Sequence, residues 1–260
     1  MKNLFAIVCI FLWFMPVVAQ NNPVQIRIMT FNLYHCENMD GSYDLDHIAQ
    51  IIADFDPDVV ALQEVDNKTT RSKKIDQIYE LGARTYLASL FGKTISFDTG
   101  EFGNGILSKY GYKEFKNHRL ESIANYETRA LLEAKIRTKD GLEFKFLSTH
   151  LCHANEENRK KQVRHINDMF GNSELPVILA GDMNALPSSE PINILRDYWK
   201  LAFEKDLKNT YPSKDPKGKI DYILFKPKDA WRVIETKVIQ DSKASDHLAV
   251  CAVVEYIGKK

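Results

Sequence analysis

The chain has 260 residues, with 35 Lys and Arg balanced by 35 Asp and Glu, and 44% of its residues are hydrophobic. That composition excludes a disordered chain and a protein held on nucleic acid by a strong basic field. It leaves room for one large core, and for chemistry that meets an anion through a bound cation and a few local charges.

The first twenty residues differ from the rest. Lys2 precedes an almost wholly apolar run over 4–18, and Val17-Val18-Ala19 ends it on a small residue. This pattern predicts a signal peptide over 1–19 and export to the periplasm or the medium; the run is short for a membrane span, and no other stretch could make one. The rest reads as one domain over 24–258, expected to be a monomer, with no internal repeat or linker. Cys36, Cys152 and Cys251 remain after cleavage. No Cys-x-x-Cys spacing supports a thiolate zinc site. Cys36 and Cys152 each follow a motif placed at the active site, so they form a candidate disulfide.

Residues 25–32 alternate polar and apolar and predict a strand ending near Asn32. Residues 44–55 place Leu45, Ile48, Ile51, Ile52 and Phe55 on one helical face, and Asp56-Pro57 ends that helix. Residues 58–64 predict a second strand with Glu64 at its exit. Residues 72–91 read as a helix with Ile75, Ile78, Tyr79 and Leu81 inward. Gly103-Asn104-Gly105 opens a strand over 106–108. Arg129 stands at the start of a strand over 130–137, Asp140-Gly141 makes a hairpin turn, and the return strand ends at Thr149-His150-Leu151. Residues 156–170 form a charged helix whose basic run, Arg159, Lys160, Lys161 and Arg164, reads as a solvated face. The apolar run 175–180 leads into Gly181-Asp182-Met183-Asn184, where Asp182 and Asn184 would share one side of an extended segment, or close an Asx turn. A short helix over 191–198 follows, with Pro at its start. A polar Pro/Gly loop over 209–218 then leads to a strand over 219–225. Residues 231–240 are another strand, and Ser245-Asp246-His247 opens the last, over 248–256. The hairpin requires a sheet that is not wholly parallel.

Each polar residue at these strand mouths has an ordinary explanation of its own. Together they do not. Asn32, Glu64, Asp182 and Asp246 make an oxygen-rich set that suits Mg²⁺ or Mn²⁺ better than zinc. In order, Thr30-Phe31-Asn32, Leu62-Gln63-Glu64-Val65, Asn104-Gly105-Ile106-Leu107-Ser108, Thr149-His150-Leu151, Gly181-Asp182-Met183-Asn184, Ile220-Asp221-Tyr222-Ile223 and Ser245-Asp246-His247 resemble the motif series of the endonuclease/exonuclease/phosphatase superfamily.

The resemblance covers the whole mature chain. It implies an α/β four-layer sandwich of two packed mixed β-sheets flanked by helices, and Mg²⁺-dependent hydrolysis of a phosphoester. It further implies that Glu64 is the principal metal ligand, with Asn32 and Asp246 at the metal. Asp182 resembles the residue that activates water, with Asn184 beside it. His247 resembles the histidine facing the scissile phosphate, oriented by Asp221. His150 resembles a second phosphate-facing histidine, and Asn104 and Arg129 resemble substrate contacts. The chain carries no long insertion to grip nucleic acid and no hairpin of exposed aromatics to enter lipid. Within the family, a nuclease or phosphodiesterase is the leading expectation. A phosphoesterase of small molecules or lipid headgroups, and a non-catalytic binding member, are the alternatives. A serine hydrolase is excluded, because no Gly-x-Ser-x-Gly elbow occurs.

Overall fold

In the computed structural model, residues 23–204 and 208–258 are described. The signal-peptide reading lies outside them. The chain runs β1 (Val24–Asn32), α1 (Leu45–Phe55), β2 (Val59–Asn67), α2 (Gln77–Thr85), β3 (Ala88–Phe97), β4 (Gly100–Ser108), β5 (Glu114–Arg119), β6 (Ala130–Arg137) and β7 (Glu143–His150). It continues through α3 (Glu156–Phe170), β8 (Val177–Asp182), α4 (Glu190–Tyr198), β9 (Lys200–Leu201), β10 (Asp221–Lys226), β11 (Trp231–Val238) and β12 (Val250–Tyr256).

Two six-stranded mixed sheets result, ordered β11-β12-β1-β2-β4-β3 and β5-β6-β7-β8-β10-β9. Each holds one parallel pair at its centre, β1 with β2 and β7 with β8, and antiparallel neighbours elsewhere. A parallel pair needs a crossover, which α1 supplies in one sheet and α3 in the other.

Strand periodicity builds the layers. Ile26 and Ile28 of β1 face a middle core with Phe144 and Phe146 of β7, Ile178 and Ala180 of β8, and Ile223 and Phe225 of β10. The alternate residues Met29 and Phe31 pack on Leu45, Ile48 and Ile52 of α1. On the other side, Leu179 and Leu224 pack on Val163 and Ile166 of α3 and Ile192 of α4. Helix, sheet, sheet, helix is thus the order of the layers, as the family resemblance implied. The Asp140-Gly141 hairpin also forms, with Gly141 at φ +89°. The two crossover helices are capped at their starts: Asp44 accepts from the His47 N–H at 3.0 Å, and Asn155 from that of Asn158 at 2.8 Å.

Three expectations need correcting. The helix read over 72–91 occupies only α2; Tyr86 turns left-handed at φ +58°, and β3 begins two residues later. Tyr79, expected inward, is 63% exposed. Pairing of β3 with β4 overrides the helical pattern, and Gly82 admits the returning chain: a Cβ there would lie 2.9 Å from both the Leu87 carbonyl and the Ser89 Cβ. Second, Asn104 and Glu64 lie within strands rather than at their ends. Third, Cys36 and Cys152 are buried and free. The short strand β5 left no apolar alternation to read, because its residues are almost all exposed.

No helix among the described residues is long and apolar enough to cross a membrane.

Candidate active site

The inner faces of both sheets turn from apolar to polar at one end of the sandwich. The parity that places Ile28, Phe146, Ala180 and Ile223 in the middle core also places Thr30, Asn32, Ser148, His150, Asp182 and Asp221 on those faces. A first polar layer ties the sheets together. The Thr30 hydroxyl donates to Gln63 Oε1 at 3.2 Å, the Gln63 amide to Ser148 Oγ at 3.4 Å, and the Ser148 hydroxyl to the Leu62 carbonyl at 3.2 Å.

Glu64 reaches the next layer by a bulge. Leu62 pairs with Gly105 and Val65 with Gly103, so Gln63 and Glu64 together stand opposite Asn104. Glu64 holds φ +55°, a left-handed conformation costly for a residue with a Cβ. The extra residue lets Gln63 turn into the inter-sheet layer while Glu64 turns to the cleft.

Asn32 joins the two halves. Its amide donates to Glu64 Oε1 at 3.0 Å and to Asp182 Oδ2 at 3.2 Å, and its carbonyl oxygen accepts from the Tyr34 N–H at 3.1 Å. Asp221 pairs directly with Asp182 across β10 and β8. It accepts from Thr210 Oγ1 at 2.5 Å and lies 3.0–3.1 Å from His247 Nδ1. His247 Nε2 faces Asp182 Oδ2 at 3.7 Å, and Tyr211 lies against the imidazole with ring centroids 4.8 Å apart. The loop carrying His247 is pinned by Ser245, whose hydroxyl donates to the Asn32 carbonyl at 2.7 Å.

Asp182 and Asn184 do close an Asx turn, the Asn184 N–H donating to Asp182 Oδ1 at 2.8 Å. The turn still leaves both on the cleft wall. Asn184 adopts φ +47° and sets its amide 2.9 Å from His150 Nε2 and 3.1 Å from the Leu151 carbonyl. Gly181 makes the close approach possible: its φ is +154°, and a Cβ would fall 2.0 Å from the Thr149 carbonyl oxygen. Gly181→Ala is therefore expected to destabilise the fold by about 3 kcal/mol or more, measured by denaturant unfolding.

The cleft has a volume of about 380 Å³. Glu64, Arg129, His150, Asp182, Asn184, Asp246 and His247 line it, whereas Asn32 and Asp221 lie in its floor with 0% and 1% exposure. Asn104 is 2% exposed and donates its amide to the Ala130 carbonyl at 2.9 Å, bracing β4 against the other sheet just behind Arg129. Arg129 is buried, ion-paired to Glu127 at 3.1 Å and 3.2 Å from His153 Nδ1. Arg159, from the basic run read as solvated, donates to the Cys152 and His153 carbonyls and so holds that loop.

Tyr211, His153, Phe102 and Glu127 also line the cleft and were not anticipated. Tyr211 was the only aromatic residue in a loop otherwise read as polar, a signal that was present. Of the residues that support the site from behind, Gln63 stood within a quoted motif and Thr210 gave no signal.

The electrostatics separate the groups. Burial pushes the Asp182 carboxyl up, helped by the charge of Asp221 and opposed by His247, to about 7. Burial pushes His247 down, but Asp221, Asp182 and Asp246 outweigh it and hold the imidazole up at about 10. Burial and the nearby Arg129 push His150 down, so it stays neutral. Asp246 is raised by burial and by the charge of Glu64, against the pull of His247.

Asp182, Asp221 and His247 lie close enough to share an ion, their ligand atoms within 4.8 Å of one another. Yet His247 Nδ1 is committed to Asp221, and a charged imidazole repels a cation. Glu64 and Asp246 fit one better. Both are carboxyl groups on the cleft, the Glu64 charge opposes ionisation of Asp246, and a hard cation between oxygen donors would relieve that.

A model of the endonuclease/exonuclease/phosphatase family matches residues 29–247. The fold is shared with solved structures of low identity. An endonuclease/exonuclease/phosphatase from Beutenbergia cavernae superposes with a TM-score of 0.75 at 23% identity, over 90% of this chain and 72% of that one. A mannosyl-6-phosphatase from Bacteroides thetaiotaomicron gives 0.73 at 18% identity, over 88% and 99%. The human Nocturnin catalytic domain with bound sulfate gives 0.71 at 18%, over 89% and 94%. No curated protein matches the chain in sequence.

Proposed function

We propose, since the chain belongs to the endonuclease/exonuclease/phosphatase family, that it is an exported, monomeric, Mg²⁺-dependent phosphodiesterase acting on nucleic acid. The observation that carries the hydrolytic reading is the opposition of two buried groups on one cleft: a carboxyl poised near neutrality at Asp182 and a positively charged imidazole at His247.

A phosphodiester is an anion that repels hydroxide, so hydrolysis needs a base at the water and positive charge at the phosphoryl oxygens. Asp182 takes the proton of the attacking water; a value of about 7 matches that task at neutral pH. His247 keeps its proton and directs it from Nε2 into the cleft, with Nδ1 anchored on Asp221. Arg129 stands on the same cleft to receive the phosphate oxygens, with the mutually bonded His150 and Asn184 beside it. Glu64 and Asp246 would hold the Mg²⁺, with Asn32 orienting Glu64; Mn²⁺ suits the same oxygens. The ion supplies Lewis-acid neutralisation of the phosphate charge.

The deciding experiment measures Mg²⁺ binding by calorimetry and turnover on plasmid DNA, RNA, sphingomyelin and a generic phosphate bis-ester. Glu64→Gln is expected to weaken Mg²⁺ affinity by about 100-fold, with a parallel rise in the metal concentration needed for turnover. Wild-type affinity in that variant, or turnover indifferent to chelation, would sink the proposal.

A further inference from the structure

A second groove adjoins the cleft. It is formed where β3, the edge of one sheet, faces β5, the edge of the other, and it has a volume of about 530 Å³. Lys93, Thr94, Ile95 and Ser96 line one side, Asn117 and Arg119 the other, and Thr128 and Ala130 close it toward the cleft.

Four consecutive residues of a regular strand cannot all face one groove, because side chains alternate. A bulge makes it possible here: Lys93 pairs with Gly103 and Ile95 with Phe102, leaving Thr94 extra. The same irregularity sets Phe102 into the catalytic cleft while its partner Ile95 lines the groove. On the opposite wall, Thr128 and Ala130 line the groove and Arg129, between them, lines the cleft. The two cavities therefore share both walls.

The groove is narrow and braced. The Asn117 amide donates to the Lys93 carbonyl at 2.6 Å, tying the two edges, and Gly92 beneath has no room for a Cβ, which would lie 2.9 Å from Asn117 Oδ1 and from Leu132. Two cations stand on opposite rims. Lys93 is paired to Glu101 at 2.9 Å, with both side chains more than a third exposed, so the pair is weak and readily exchanged for a stronger anion. Arg119 is exposed, its contact to Thr128 Oγ1 long at 3.5 Å. Thr94, Ser96 and Thr128 add hydroxyl-bearing side chains to the same lining.

We propose that this groove holds the neighbouring phosphate of a single nucleic-acid strand whose scissile phosphate lies in the cleft, with Lys93 and Arg119 as the phosphate contacts. The assignment rests on the phosphodiesterase reading and names its substrate. Opposed cations in a lining that also carries hydroxyls suit a phosphate flanked by sugar. A pocket of this size takes one nucleotide unit rather than a duplex. The basic side chains come from two sheet edges, so no long inserted loop is needed.

The test uses the full chain and the double variant Lys93→Ala/Arg119→Ala, which touches no group of the cleft. Binding of a fluorescein-labelled single-stranded 12-mer is read by anisotropy in EDTA, and turnover on the 12-mer and on a phosphate bis-ester is read with Mg²⁺. The variant is expected to bind the 12-mer about tenfold more weakly, with the slope of log affinity against log salt reduced by about 0.7 for the one phosphate no longer held. KM for the 12-mer should rise with kcat unchanged, and the bis-ester should be cleaved as by wild type. Equal binding by variant and wild type, no binding by wild type, or an equal loss on the bis-ester would overturn the assignment. Wild-type cleavage of the bis-ester keeps the hydrolase reading standing in each of those cases.

Discussion

His247→Ala is expected to lower kcat/KM by about 10³–10⁴-fold on any phosphoester the enzyme cleaves, with the fold retained. The imidazole is the positive charge that carboxylates hold in the cleft: Asp221 lies 3.0 Å from Nδ1, and Asp182 and Asp246 add to the hold that keeps it at about 10. The free protein therefore presents an imidazolium throughout the neutral range, and the ring acts as a proton donor to the phosphoryl oxygens rather than as the base. Nuclear magnetic resonance titration of the metal-free protein checks the cause. The His247 ring should titrate near 10, and in Asp221→Asn it should fall by several units, because burial then has less to oppose it. A wild-type ring titrating near 6.5 would remove the basis for its role.

The folded value of His247 lies above its ordinary value of about 6.5. The stability this group contributes is complete below that value and is lost as pH rises through about 10.

Asp182→Asn is expected to abolish turnover by about 10³-fold or more while leaving the metal-free protein more stable, not less. The wild-type carboxyl is buried beside Asp221, and its folded value of about 7 stands well above that of an exposed aspartate. Its ionisation therefore works against folding, with no cost below the ordinary range near 4 and the full cost above about 7. An asparagine carries no such charge and keeps an oxygen for the Asn184 N–H, but its amide gives up the bond from Asn32, which leaves a net gain of about 1 kcal/mol. At pH 8 its Tm should exceed wild type by about 2–4 °C, the shift that 1 kcal/mol produces in a domain of this size, and the gap should close as pH falls toward 4. A lower Tm in the variant at pH 8 would show that the histidines stabilise the ionised carboxylate, and the poised base would be lost with it.

The motif series was legible because its chemistry is local. Asn32, His150 and Asp182 end apolar strands, and a polar residue ending such a run can be read without a structure. The parity that sends Ile28, Phe146 and Ala180 inward also sends those three to one face, so the tetrapeptide at Gly181 pointed to a real cluster. The four-layer order came from the family resemblance, and the hairpin from the Asp140-Gly141 turn signal.

Chain order thus set which residue types stood at which strand mouths and, through the family resemblance, which fold would carry them. Tertiary structure alone decided the rest. The bulge at Glu64, the reversal at Tyr86 and the strand β3 depend on pairing with β4, a contact between segments whose own patterns do not announce it. The proton inventory is likewise three-dimensional. Asp182 is raised and His150 lowered by burial and by charges brought from other elements, and a residue's charge state depends on those neighbours rather than on its own sequence context.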